Sequence, residues 1–195
     1  MYDLRVSVNR VLGVCTAQVP MLPGQGFFVH DGRLSFPRGG PICIYALQSV
    51  LSLLPMKERS SDEEKNEDWL WRVHAAQCPD PKGRVIWRIE QRPFGSSPLE
   101  PAHVPAPIPG DLQISVTEVR GKCTAGMRSG QFALLRGSGL YLPQPFCLYA
   151  LQAVLPQLPA RVRPLSPDDW MVSEDEVICP DPAGNVIMQM KQITD

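Results

Sequence analysis

Three blocks of the chain recur in the same order, and this duplication constrains the fold more than any local pattern. Residues 3–18 (DLRVSVNRVLGVCTAQ) match residues 111–126 (DLQISVTEVRGKCTAG) at 9 of 16 positions. Residues 43–55 (CIYALQSVLSLLP) match 147–159 (CLYALQAVLPQLP) at 9 of 13, and 78–91 (CPDPKGRVIWRIEQ) match 179–192 (CPDPAGNVIMQMKQ) at 8 of 14. The offset shrinks from 108 to 104 to 101, so the first copy carries the longer loops. Asp68-Trp69 and Asp169-Trp170 keep the last offset. The chain is a tandem duplication. Lobe one is residues 1–92 and lobe two is residues 111–195. Between them, residues 93–110 (PFGSSPLEPAHVPAPIPG) carry six prolines, the composition of an extended, semi-rigid strap. Each lobe is roughly 85–90 residues, near the lower size at which one core suffices. Two such lobes are expected to pack on each other about a pseudo-twofold axis.

The local patterns read alike in both lobes. Leu4-Val6-Val8 and Leu112-Ile114-Val116 alternate with polar residues, the period of a half-buried strand. Residues 25–36 and 131–142 read as hairpins, turning at Asp31-Gly32 and at Gly137-Ser138-Gly139. Ile44, Leu47, Leu51 and Leu54 then fall on one helix face, as do Leu148, Leu151, Leu155 and Leu158. Pro41 and Pro145 suit the first turn of these helices, and Pro55 and Pro159 their ends. A strand through Trp71 and Val73, a Cys-Pro-Asp-Pro turn and a last strand (residues 85–89; 186–190) complete the pattern. The expected fold class is α+β, each lobe a small antiparallel sheet covered by one helix.

Charge and length set limits on function. Nineteen Lys and Arg against twenty Asp and Glu leave a formal charge of −1, which argues against nucleic acid as a partner. The longest apolar stretch, residues 42–54, is too short to span a bilayer. The first ten residues, MYDLRVSVNR, lack the apolar run of a signal peptide. No membrane association and a cytoplasmic location are therefore expected.

The six cysteines are the informative residues. Cys15, Cys43 and Cys78 correspond to Cys123, Cys147 and Cys179, and none lies outside this set. Cys15 and Cys123 follow a strand in Gly-x-Cys-Thr-Ala. Cys43 and Cys147 sit two residues after proline in the first turn of a helix, where N–H groups and the helix dipole favour a thiolate. Cys78 and Cys179 open a rigid turn. Buried core cysteine, disulfides and a purely thiol-based active site are the competing readings, but three cysteines per lobe cannot pair off within a lobe. Metal–thiolate binding accounts best for all six. Structural zinc requires four protein ligands. His30 and His74 occur only in lobe one, and Asp80 and Asp181 are the possible extra ligands that recur. Three thiolates with no recurring fourth soft ligand suit an iron–sulfur cluster, one per lobe, with zinc as the alternative.

The pattern Gly-x-Cys, then Pro-x-Cys-x-x-Ala-Leu, then Trp and Cys-Pro-Asp-Pro resembles an uncharacterised cysteine-containing repeat family of bacteria and archaea, frequent in anaerobes. The resemblance covers both lobes, most closely residues 112–192, and implies metal or cluster binding. In that family a Gly-His pair often follows the first cysteine. Here lobe two has Gly126-Met127 and lobe one Gln18-Val19, which leaves the fourth position open or differently filled.

Other features read as structural. The charge run at residues 60–68 (SSDEEKNED) suits a solvated insertion loop, His74 a satisfied strand histidine, and Trp69 and Trp170 core anchors. Tyr45 and Tyr149, two residues after the helical cysteine, suit packing, with a hydroxyl that could reach a site. No catalytic residue is assigned. Three functions remain open: electron transfer or cluster-dependent catalysis with a redox partner protein or small-molecule substrate; a lyase-like Lewis-acid enzyme using cluster or zinc; and a binding module with structural cysteines.

Overall fold

Alternating apolar residues build the central strands, and glycine or aspartate turns fold them back. In the computed structural model, which describes residues 1–59, 69–99 and 101–194, the first copy forms β1 (Tyr2–Val11), β2 (Gly26–His30), β3 (Arg33–Ser35) and β4 (Ile42–Cys43). These are followed by α1 (Ile44–Leu51), α2 (Leu54–Arg59), a 3-10 turn (Trp69–Arg72), β5 (Ala75–Gln77) and β6 (Val85–Pro93). The second copy forms β7 (Leu112–Val119), β8 (Phe132–Arg136), β9 (Gly139–Tyr141), β10 (Phe146–Cys147) and α3 (Leu148–Val154). It ends with α4 (Leu158–Arg161), α5 (Trp170–Ser173), β11 (Glu176–Ile178) and β12 (Val186–Gln192). The fold is mixed α and β, with two six-stranded antiparallel sheets.

The two sheets exchange an edge strand. One runs β10-β3-β2-β1-β6-β5 and the other β11-β12-β7-β8-β9-β4. The two-residue strand β4 thus pairs with β9, Ile42 opposite Leu140 and Cys43 opposite Gly139. Likewise β10 pairs with β3, Phe146 opposite Leu34 and Cys147 opposite Arg33. The hairpin turns continue these ladders, since Ile44 N–H donates to the Ser138 carbonyl and Leu148 N–H to that of Gly32. A strand so short has too few hydrogen bonds to hold itself; its burial does the holding, with Phe146 fully buried and Ile42 nearly so. Buried side chains of both copies merge in one core.

Several local expectations are corrected. Pro55 does not stop a long helix: α1 ends at Leu51, and Pro55 is the second residue of α2, where its missing N–H costs nothing. Pro159 plays the same part in α4. Pro41 and Pro145 precede β4 and β10 rather than opening a helix, because the chain must first reach across to the other sheet. The segment through Trp71 is a 3-10 turn, and strand pairing begins only at Ala75. Trp69 and Trp170 are 65% and 58% exposed, so neither anchors the core; Trp87 does, fully buried and donating its indole N–H to the Ala46 carbonyl of α1 at 2.7 Å. The charge run at residues 60–68 lies outside the described residues.

Buried charge ties the loops to the sheets. Asp3 accepts from Ser97 N–H at 2.6 Å and pairs with His30 at 2.7 Å; Asp111 accepts from Ile108 N–H and grips Arg136 through Nε and Nη2 at 2.9 and 2.7 Å. Each aspartate therefore fastens one end of the proline-rich strap. Arg136 also donates to the Ala106 carbonyl and Ala102 N–H to that of Pro143, while no helix or strand forms in the strap beyond Pro93, the last residue of β6, among the described residues. Lys57 and Arg161 occupy matching places in α2 and α4, and each donates into the turn beyond it: Lys57 to the Trp71 carbonyl, Arg161 to those of Met171 and Glu174. No helix among the described residues is long and apolar enough to cross a membrane.

Because the exchanged strands knit both copies into one core, Phe146→Ala is expected to cost about 3–5 kcal/mol and to lower a single unfolding transition for the whole chain. Calorimetry checks this; two resolved transitions, with only one moved, would contradict it.

Candidate functional site

Each set of three cysteines lines one cavity. Cys15, Cys43 and Cys78 border a cavity of about 380 Å3 together with Met21, Tyr45 and Asp80. Cys123, Cys147 and Cys179 border a much smaller one, about 70 Å3, together with Met127, Tyr149 and Asp181. None of the six is in a disulfide. The sequence places these residues far apart, so their meeting is a tertiary result.

The first cysteine is delivered by a close backbone approach. Beyond β1 the chain continues along the turn that precedes β6: Gly13 N–H donates to the Gly83 carbonyl and Val14 N–H to that of Lys82, both at 3.1 Å. Gly121 and Lys122 repeat this against Gly184 and Ala183. A Cβ on Gly13 or on Gly121 would lie 2.0 Å from a facing carbonyl oxygen, which explains the glycine of the Gly-x-Cys motif. Asp80 then clasps the two loops. Its carboxylate accepts from the N–H and the hydroxyl of Thr16, both at 3.0 Å, and from Lys82 N–H at 2.9 Å. These bonds, led by that from Thr16 N–H, hold its carboxyl down to about 2. Asp181 accepts from Ala183 N–H at 3.0 Å and from the Thr124 hydroxyl at 3.4 Å. Both aspartates line the cavities, with oxygens engaged in joining loops.

The second cysteine comes from the exchanged strand. Cys43 and Cys147 have extended backbone (ψ 124° and 128°) and cap α1 and α3 rather than lying within the first turn. Burial pushes both thiols up, and the helix N–H groups that face them, from Tyr45 and Ala46 or Tyr149 and Ala150, only partly counter it. The expected thiolate-favouring effect of the helix start is therefore outweighed by desolvation. The third cysteine is set by the turn itself. Cys78 N–H donates to the Val85 carbonyl and its Sγ accepts from Val85 N–H at 3.1 Å; Cys179 and Val186 repeat both contacts, the latter at 3.2 Å.

Two residues that the sequence reading passed over complete the picture. Met21 and Met127 are buried, line the two cavities, and accept through Sδ from the N–H of Cys43 at 3.4 Å and of Cys147 at 3.3 Å. A fourth soft donor therefore does recur, at an offset of 106, between the 108 and 104 of the flanking blocks. The histidines are elsewhere. His30 is bound to Asp3 and stacked on Phe94 with ring centres 4.6 Å apart, and the exposed His74 lines neither cavity.

The cavities differ in their walls. Ser138, from the second copy, closes the first; Asp31, Gly32 and Arg59, from the first copy, crowd the second. Glu58 holds that crowded wall, both oxygens accepting from Gly32 N–H at 3.0 Å. Comparison with protein-family models, with curated proteins and with solved structures found no match.

Gly13→Ala or Gly121→Ala is expected to push the first cysteine's loop off its turn, at a cost of roughly 1–3 kcal/mol, and to speed reaction of that thiol with a maleimide; an unchanged melting point and labelling rate would contradict the close approach. Glu58 gives a pH test. Burial raises its carboxyl above the ordinary 4.5, so the favourable protonated form is fully present below that value and its stability is lost as pH rises through the folded-state value. Glu58→Gln is therefore expected to raise the melting point at pH 7–8 and to lose that advantage near pH 4. A melting scan against pH reads the sign directly.

Proposed function

We propose that the chain is a metal–thiolate protein of two homologous lobes about a pseudo-twofold axis, each with one three-cysteine site for an iron–sulfur cluster. One observation carries the reading. Three cysteines from three separate elements line one cavity, and their counterparts do so again. The three recurring cysteine donors of each cavity are soft, which suits thiophilic metals. A tetrahedral zinc–thiolate site would hold its sulfurs about 3.8 Å apart, from Zn–S bonds of about 2.3 Å. Among the described residues no three Cys, His, Asp or Glu side chains are grouped to hold a metal ion as they stand, so a bound metal or cluster would have to draw the thiols together as it binds. Cys15, Cys43 and Cys78 would hold it in the first site and Cys123, Cys147 and Cys179 in the second. Bound there, it would supply one-electron redox chemistry or an electrophilic iron. The chain's own part is to present thiols from a loop, a helix cap and a turn, and to give up the protons of Cys43 and Cys147 on binding.

Electron transfer with a redox partner protein in the cytoplasm is one role such clusters would serve; the resemblance to the cysteine repeat family supports the metal or cluster binding alone. The volume of the first cavity, about 380 Å3, lies in the range of small-molecule pockets and supports cluster-dependent or lyase-like catalysis there as the second reading.

Iron, acid-labile sulfide and zinc per chain are measured on anaerobically purified protein, with a visible spectrum. Iron and sulfide in equal amounts with absorption at about 400 nm are expected. Cys43→Ala is expected to remove the first site's share and Cys147→Ala the second's. Zinc alone would replace the cluster by zinc; no metal, with six titratable thiols, would leave a binding module.

A further inference from the structure

The geometry points to Met21 and Met127 as the fourth sulfur ligands of the two sites, an inference that rests on the metal–thiolate reading of the cysteines. A buried methionine is ordinarily a gap-filler whose flexible sulfur has no fixed direction. These two are different. Each is almost wholly buried, at 2% and 4% exposure, and each lines the cavity of its own three cysteines. Each thioether accepts a hydrogen bond from the backbone N–H of the helix-capping cysteine, at 3.4 and 3.3 Å, which pins the sulfur beside Cys43 or Cys147. A thioether sulfur has two lone pairs, so the second is left for a metal. The same orientation occurs in two copies that have diverged at about two-fifths of their matched positions.

The other donors around the cavities are less suited to the place. Asp80 and Asp181 spend their carboxylates on loop N–H groups and hydroxyls, and both histidines considered from the sequence lie away from the cysteines. Three thiolates and one thioether form an all-sulfur set, which selects soft metals over magnesium, calcium or manganese. Methionine in place of a fourth thiolate also leaves the loaded site one negative charge poorer, an advantage in a buried cavity.

The test uses the full chain labelled with selenomethionine and reconstituted anaerobically with ferrous iron and sulfide. Selenium-edge X-ray absorption is expected to show a selenium–iron shell in the labelled protein. That shell is expected to shrink in Met21→Leu and in Met127→Leu and to vanish in the double variant, which should lose iron to a chelator about 10-fold faster or more. Leucine conserves volume, so the metal-free melting point is expected to change little. If the double variant does not fold, the labelled unmutated chain alone decides. Bound iron with no selenium–iron shell would overturn the methionine assignment and leave the cysteine reading standing. Failure of the labelled chain to bind iron would overturn both.

Discussion

The exchange of two short strands is the constraint on which the rest of this structure depends. β4 and β10 have two residues each, and each completes the sheet built by the other copy. Their last residues are Cys43 and Cys147, which also cap α1 and α3. One junction therefore fixes a sheet edge, a helix start and the middle thiol of a three-cysteine set. It also draws the opposite hairpin turn against each cavity, so that Ser138 walls one and Gly32 the other. Neither copy builds its cavity alone.

Around that junction, polar contacts do the work that a small core cannot. A copy of this size buries too little apolar surface to order long loops by packing alone. Asp80 and Asp181 join the first and third cysteine loops, and Asp3 and Asp111 fasten the two ends of the strap. Lys57 and Arg161 bind carbonyls of the turns that follow their helices. The partners differ between the copies, His30 against Arg136 and lysine against arginine, while the placement of charge is kept. What the duplication preserves is the electrostatic role, because an unpaired charge at these buried positions would cost more than any substitution that keeps it paired.

The copies diverge where their surroundings do. Arg59 and Asp31 press on the second cavity, and among the described residues no equivalent charged wall lines the first. Glu58, which holds Gly32, sits where the second copy has Val162. Burial at this wall raises the Glu58 carboxyl, so its charged form is held there at some cost to stability.

The sequence by itself determined the duplication, the strands through Leu4-Val6-Val8 and Leu112-Ile114-Val116, the hairpins, the last strand of each copy, the apolar helix face and the correspondence of the six cysteines. Those follow from short-range periodicity and from comparing the chain with itself. It also displayed the recurring Met21 and Met127, although a methionine in an apolar context carries no local mark of its role. Only the tertiary structure decided that Pro55 lies in the first turn of a second helix, that Trp69 is exposed while Trp87 is buried, and that Cys43 ends a strand in the other copy's sheet. The physical reason is the same each time. A two-residue strand has no periodicity to read, and its position is set by burial of Phe146 or Ile42 against residues about a hundred places away.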